Sequence, residues 1–200
     1  GFKYDISSLR DRRLYATFFR EGKGRLRGEI TPAYSCLPPE RVSDIVQFLP
    51  DVKIIYILRN PVERAWSGMR RRCWYGEGKT ADKVAPDTLL KMAKLESLLI
   101  RGDYRRNIDV WESQVSQDRI HYIFYDDISA DGSAELDKLC RFLGIAEDHF
   151  PKPEKIDKIV NEAPGSAIPD VIRDELRAYY VSDQSYLEAK FNRDLSSWYC

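Results

Sequence analysis

The sequence predicts an α/β fold in which helices flank a parallel β-sheet. Three short segments, 25–31, 52–58 and 119–125, are rich in apolar and β-branched residues and bounded by turn or charged residues, as strands are. Helical patterns lie between them, and strands that alternate with helices normally form a parallel sheet with right-handed crossovers. A chain of 200 residues, 43% of them apolar, can bury one sizeable core. We therefore expect residues 1–200 to form a single domain.

The predicted helices are recognised by their apolar periodicity and by their ends. Asn60, Pro61 and Glu63 have the residue types of an N-cap, a first-turn proline and the third position of a capping box. Gly102 separates two neighbouring helices, and Gly144 is a C-cap signal at the end of another. The helical segments are 38–50, 60–72, 88–102, 103–115, 132–144 and about 169–190.

Composition excludes several classes of protein. Lys plus Arg and Asp plus Glu each number 32, which argues against a broad nucleic-acid-binding surface but leaves room for a local basic pocket. No run of 18 apolar residues suggests a membrane span, and the first residues lack the apolar core of a signal peptide. The four cysteines lack zinc-ligand spacing, so we expect no metal site and free thiols in a reducing, cytoplasmic location. They are Cys36, Cys73, Cys140 and Cys200.

One stretch combines a cation with a helix start at the end of a predicted strand. Arg59 follows the strand 52–58 directly, and ligands of parallel sheets bind beyond the carboxyl ends of the strands. The helix that begins at Pro61 would add unpaired backbone N–H groups and the positive end of its dipole. Ser67 lies in the second turn and could supply a hydroxyl. This spacing indicates a phosphate pocket, although Arg59 could instead cap strand carbonyls and Ser67 could bond to its own helix.

Six stretches occur in the order GEITPAY, LPDVKIIYILRNPVERAWS, GDYRRNIDVW, RIHYIFYDDI, LCRFLGI and DLSSWY. Together they resemble the sulfotransferase superfamily, in particular its bacterial and Golgi-type carbohydrate branches. The similarity covers about residues 25–198, and the Arg-Asn-Pro segment with a serine eight residues after the arginine is its most specific part. The resemblance implies a P-loop-NTPase-like sulfotransferase fold.

The resemblance also implies a reaction. Enzymes of this family transfer a sulfuryl group from 3′-phosphoadenosine 5′-phosphosulfate (PAPS) to a hydroxyl or an amine, without a metal. By that match Arg59 and Ser67 would hold the donor's 3′-phosphate, and Tyr125 would contact the adenine, unless it is a core tyrosine at a strand end. Glu29, at the end of the predicted strand 25–31, is the candidate base, although a structural role for it is as plausible.

A second family signature, the Gly-rich loop that binds the 5′-phosphosulfate, has no match here. The glycines at 22–28 precede a predicted strand instead of following one, and the basic loop expected before the last helix is not evident either. We therefore expect the natural protein to have an upstream strand and phosphate loop. Residues 1–200 alone would then be poorly stable and inactive, and an upstream membrane anchor would place the domain in the Golgi lumen.

Other functions remain open at this point. A degenerate, non-catalytic binding domain would explain the missing loop. A P-loop nucleotide kinase shares the layout but would need a Walker segment, which is absent from the sequence. The acceptor, whether a carbohydrate or a small metabolite, is not encoded in any motif. The polar segment 70–86 could cover the acceptor, with Trp74 and Tyr75 stacking on a ring or packing the base of the loop.

Overall fold

A computed structural model describes residues 8–22, 24–146 and 166–199. In chain order, the α-helices and strands in these ranges are α1 (Leu9–Thr17), α2 (Pro39–Phe48), β1 (Ile54–Leu58), α3 (Pro61–Arg72), α4 (Pro86–Ala93), α5 (Glu96–Leu99), α6 (Tyr104–Glu112), β2 (Ile120–Phe124), α7 (Tyr125–Leu143), α8 (Asp170–Tyr180) and α9 (Gln184–Phe191). Short 3₁₀ turns join several of them. The α/β class predicted from the sequence is confirmed.

The sheet of the described residues has two strands, which run parallel. Ile54 is paired with Ile120 and Leu58 with Phe124, so both strands end at the same edge. Side chains of β1 alternate in burial: Leu58 is fully buried, whereas Ile57 on the opposite face is half exposed. The edge at Leu58 and Phe124 is where the sequence places Arg59 and Tyr125.

The prediction of a strand at 25–31 is wrong, because the structure has no strand there. These residues have no ladder partner, and within the described ranges the only strand pairing joins β1 to β2. A strand needs such a partner to satisfy its backbone groups, and this segment carries arginines and a glycine with few apolar residues to bury. Ile30, within this segment, is 96% exposed.

One core packs helices against the face of the sheet that carries Leu58 and Phe124. The helices α3, α6 and α8 each bury one apolar stripe in it, as amphipathic helices do. The fully or almost fully buried side chains include Leu58, Met69, Tyr104, Ile108, Ile172, Leu176 and Tyr180. The predicted helix 169–190 is interrupted by a 3₁₀ turn, Val181–Asp183. Helix α7 is kinked at Asp131, whose backbone is not helical, and the helix predicted at 132–144 corresponds to the part of α7 that follows this kink.

A close backbone approach makes Gly102 sensitive to substitution. A Cβ atom at this position would lie 2.8 Å from ring atoms of Tyr180, which is buried and donates its hydroxyl proton to Leu99 O. Because that ring is held in place, Gly102→Ala is expected to lower the free energy of unfolding by about 1–3 kcal/mol, measured by denaturant titration. Gly28→Ala is the control, since its methyl group meets no atom within 4 Å. Equal stability of the two variants would contradict this packing.

Candidate active site

Arg59 and Tyr125 meet at the carboxyl edge of the sheet. Each residue directly follows one of the two paired strands, so the parallel register brings them together. The guanidinium carbon of Arg59 lies 4.6 Å from the centre of the Tyr125 ring, within the range of a cation–π contact. Arg59 also pairs with Glu63, one helical turn on, at 3.3 Å. Its Nε is buried and has no hydrogen-bond partner among the described residues.

The start of α3 differs from the prediction in one respect that concerns anion binding. Asn60 is the N-cap, as predicted, and its side-chain oxygen accepts from the N–H groups of Val62 and Glu63 at 2.9 and 3.2 Å. Arg64 N donates to Asn60 O, and Pro61 has no N–H. The expectation of unpaired N–H groups at this helix start is therefore wrong, because the capping residue already occupies them.

The hydroxyl of Tyr104 holds the backbone of Arg59. It accepts from Arg59 N at 3.2 Å and donates to Arg59 O at 2.8 Å. Tyr104 is 1% exposed, and burial raises the pKa of its hydroxyl, which therefore stays protonated and able to donate. This residue belongs to the GDYRRN stretch, in which sequence reasoning assigned it no role.

A basic pocket of about 410 Å³ opens beside Arg59. Among the described residues, its lining contains four arginines and one carboxylate, that of Glu63, so the pocket favours an anion. Ser166 Oγ, on its wall, is buried without a hydrogen-bond partner among the described residues. A bound polar group would satisfy this hydroxyl and Arg59 Nε. The lining residues are Arg59, Asn60, Val62, Glu63, Trp66, Arg70, Ser166, Ile168, Arg173, Arg177, Ser197 and Trp198.

The segment from Arg193 to Trp198 forms hydrogen bonds to the first turn of α7, next to Tyr125. Arg193 makes a bidentate pair with Asp127 at 2.7 and 2.8 Å, which lowers the pKa of that carboxyl below its usual range. Trp198 donates its indole N–H to Asp126 at 2.8 Å. The two aspartates that follow Tyr125 are thus occupied by structural bonds, and the DLSSWY stretch contributes a wall of the pocket.

The other two predicted residues lie apart from the Arg59–Tyr125 contact. Ser67 is half-buried in the second turn of α3 and is not among the residues that line the pocket. Glu29 is exposed and accepts from the Tyr15 hydroxyl at 2.9 Å. Burial, followed by the nearby Glu29 carboxylate, raises the pKa values of Tyr15 and Tyr34. Among the described residues, no hydrogen bond or ion pair joins Glu29 to Arg59.

The segment 70–86 is not a plain loop. It continues α3 into a π-helical turn, Cys73–Glu77, which ends at Gly78 with a left-handed backbone conformation. Cys73 is buried, whereas Trp74 and Tyr75 are 42% and 74% exposed and lie outside the pocket lining. Cys36, Cys73 and Cys140 form no disulfide within the described part of the chain.

Sequence reasoning missed the far wall of the pocket. Arg173 and Arg177 lie one turn apart on α8, and no motif connects them with Arg59. Arg70 belongs to the MRRR cluster, which the sequence shows but does not distinguish from an ordinary solvated helix face. Only the packing of α8 against α3 reveals that these arginines share one pocket.

The described residues contain neither a metal-binding cluster nor a membrane-spanning helix. In residues 8–22, 24–146 and 166–199, no group of three or more histidine, cysteine, aspartate or glutamate side chains could hold a metal ion. None of the helices in those ranges combines the length and the apolar composition that crossing a bilayer requires.

Comparison with known proteins identifies the family. The protein-family model described as the sulfotransferase domain matches residues 38–165, well over half of the chain. The matched region includes both strands and the start of α3. The chain belongs to the sulfotransferase domain family. The superfamily resemblance seen in the sequence is thereby confirmed.

Individual relatives of this sulfotransferase-family chain are distant. Sulfotransferase 2A6 of Rattus norvegicus is 30% identical over 115 residues, and the 3-beta-hydroxysteroid sulfotransferase of Cavia porcellus is 28% identical over the same length. Each match covers 56% of this chain and 37% of the relative. The chain thus spans little more than a third of the curated relatives that it matches.

Solved structures show the same fold. A sulfotransferase from Alicyclobacillus acidocaldarius superposes with a TM-score of 0.69 at 24% identity, covering 96% of this chain and 75% of that one. The sulfotransferase domain from the curacin biosynthetic pathway gives a TM-score of 0.52 at 22% identity, covering 72% of this chain and 46% of that one. The sulfotransferase fold expected from the sequence is confirmed by these neighbours.

Proposed function

We propose that the protein transfers a sulfuryl group from PAPS to a hydroxyl or an amine of its acceptor. The observation that carries the proposal is the meeting of Arg59 and Tyr125 beside a basic pocket. A guanidinium with an unpartnered Nε suits the donor's 3′-phosphate, to which it can donate charge-assisted hydrogen bonds. The exposed part of the Tyr125 ring suits an adenine, which stacks on aromatic side chains.

Ser67 would add a hydroxyl to the 3′-phosphate from α3. Its side chain lies outside the pocket lining, so this contact needs a ligand that reaches past Glu63 along the helix. The phosphate would also compete with Glu63 for the guanidinium of Arg59. The ion pair of Arg59 with the exposed Glu63 carboxylate, at 3.3 Å, contributes little stability, as surface ion pairs generally do. Replacing it with a contact to a dianionic phosphate therefore favours ligand binding.

The proposed reaction is an in-line displacement at sulfur. The acceptor oxygen or nitrogen forms a bond to sulfur while the bond from sulfur to the 5′-phosphate oxygen breaks, and 3′-phosphoadenosine 5′-phosphate (PAP) leaves. The acceptor proton passes to a base, for which Glu29 is the candidate because its carboxylate is exposed and can accept a proton. Binding of the remote 3′-phosphate orients the reacting sulfur.

The acceptor is proposed as a class, a hydroxyl- or amine-bearing molecule such as a carbohydrate or a small metabolite. One relative is named for a 3-beta-hydroxysteroid, which is a small hydroxyl-bearing molecule. That name supports a hydroxyl acceptor and gives no preference for carbohydrates. A panel of sugars, phenols, hydroxysteroids and amines therefore forms the first screen.

Donor recognition is tested by comparing two nucleotides. We expect PAP to bind the natural full-length protein much more tightly than ATP, because ATP lacks the 3′-phosphate that Arg59 and Ser67 would hold. Isothermal titration calorimetry measures both affinities. Equal affinities would contradict the assignment of Arg59 and Ser67, whereas tight PAP binding without sulfuryl transfer to any acceptor of the panel would favour a non-catalytic binding domain.

A further inference from the structure

The backbone of Arg59 lies where the sheet can no longer satisfy it. The register of β1 and β2 ends at Leu58 and Phe124, so the N–H and C=O groups of the next residue need partners elsewhere. The Tyr104 hydroxyl supplies both partners, at 3.2 Å to Arg59 N and 2.8 Å to Arg59 O. One hydroxyl can do this because it has one proton to donate and lone pairs to accept with.

Tyr104 itself is held firmly. It is the first residue of α6 and follows Asp103, whose side chain caps the helix by accepting from Arg106 N at 3.3 Å. Its ring packs against Tyr56 and Trp198, with centroid separations of 6.4 and 6.5 Å. A 1% exposed side chain with these contacts has few alternative rotamers, so the hydroxyl is a fixed point.

We propose that Tyr104 is a positioning residue for the donor's 3′-phosphate. By fixing both backbone groups of Arg59, its hydroxyl sets the direction in which the guanidinium leaves the strand end and enters the pocket. The inference rests on the proposed function, because it assumes that Arg59 binds the donor. Tyr104 does not line the pocket, so it acts through Arg59 and has no contact with the ligand of its own.

A pair of tyrosine variants separates positioning from stability. Tyr104→Phe removes the hydroxyl and leaves the ring. Tyr180→Phe is the matched control, because Tyr180 is also 1% exposed and donates its hydroxyl to a backbone carbonyl, Leu99 O, at 3.0 Å. Both variants lose a buried hydroxyl bonded to the backbone, but the bond of Tyr180 lies outside the segment that carries Arg59.

The readout is the affinity for PAP relative to adenosine 5′-phosphate, which lacks the 3′-phosphate. In the natural full-length protein, Tyr104→Phe is expected to weaken PAP binding by about tenfold while changing adenosine 5′-phosphate binding less than about twofold. Tyr180→Phe should leave the ratio of the two affinities unchanged. In an Arg59→Ala background, Tyr104→Phe should cost less than about twofold in PAP affinity, because the group that it positions is gone.

The possible failures are distinguishable. If Arg59→Ala leaves PAP affinity unchanged, the proposed function fails and this inference with it. If Arg59→Ala weakens PAP binding but Tyr104→Phe does not, only the positioning role is overturned. The same holds if Tyr180→Phe changes the ratio of the two affinities as much as Tyr104→Phe does. If Tyr104→Phe does not fold, amide hydrogen exchange of the unmodified protein decides. The Arg59 N–H group is expected to be as well protected from exchange as the N–H groups of β1. Exchange of this group without protection overturns the proposal.

Discussion

Replacing Arg59 by alanine is expected to weaken PAP binding by about 2–4 kcal/mol, because it removes a charge-assisted contact to a desolvated phosphate. The effect should be large since the guanidinium already lies at the pocket wall, stacked 4.6 Å from the Tyr125 ring. Isothermal titration calorimetry with PAP gives the change directly. Ser67→Ala should have a smaller effect, about 1 kcal/mol, as expected for a neutral hydroxyl.

Arg41→Ala is the control for the loss of an arginine from a helix-local ion pair. Arg41 pairs with Asp44 at 3.2 Å on α2, much as Arg59 pairs with Glu63 at 3.3 Å, but it does not line the pocket. PAP affinity should be unchanged in this variant. If Arg59→Ala and Arg41→Ala bind PAP equally well, the phosphate lies elsewhere and the assignment of Arg59 is wrong.

Glu29→Gln is expected to lower kcat by about 10²–10⁴-fold if Glu29 accepts the acceptor proton, while leaving PAP affinity nearly unchanged. In the unmodified protein the Tyr15 hydroxyl donates to the Glu29 carboxylate at 2.9 Å. The substitution is conservative, because the side-chain oxygen of glutamine can still accept this hydrogen bond. The substitution removes the capacity to take up a proton together with the negative charge of the carboxylate. Steady-state kinetics with the natural full-length protein and PAPS measure the change.

The matched control is Glu40→Gln, which neutralises an exposed glutamate in the first turn of α2. Its turnover should equal that of the unmodified protein. Near-normal turnover of Glu29→Gln would move the base to another residue. A loss of turnover accompanied by an equal loss of PAP affinity would instead show that Glu29 supports the binding site structurally.

The elements that carry Arg59 and Tyr125 were predictable because local and long-range signals agree there. Strand β1 has a run of apolar, β-branched residues, and Asn60, Pro61 and Glu63 make the following helix start recognisable at once. Parallel strands must also end at a common edge, so the meeting of the two residues follows from topology. The segment 25–31 lacked such agreement. Its strand pattern depended on few apolar residues, and no other strand in the described part of the chain pairs with it.

The rest of the site depends on tertiary packing, which no local pattern encodes. Arg173 and Arg177 reach the pocket only because α8, which begins at residue 170, packs beside α3, which ends at residue 72. The role of Tyr104 depends on a hydroxyl that meets a backbone 45 residues earlier. Sequence reasoning also identified Asn60 as a cap but did not draw the consequence that capping uses up the N–H groups.

That consequence bears on how the protein can change over evolution. Phosphate sites built from backbone N–H groups persist through most substitutions, because every residue type except proline keeps the donor. At the start of α3 the cap occupies the N–H groups of Val62 and Glu63, so this helix start would contribute side chains to an anion site beside Arg59. A single codon change could then abolish or retune donor affinity without disturbing the fold. Under the proposed function, related chains without sulfuryl transfer should accordingly differ first at Arg59 and its pocket neighbours, with Asn60 and Pro61 retained.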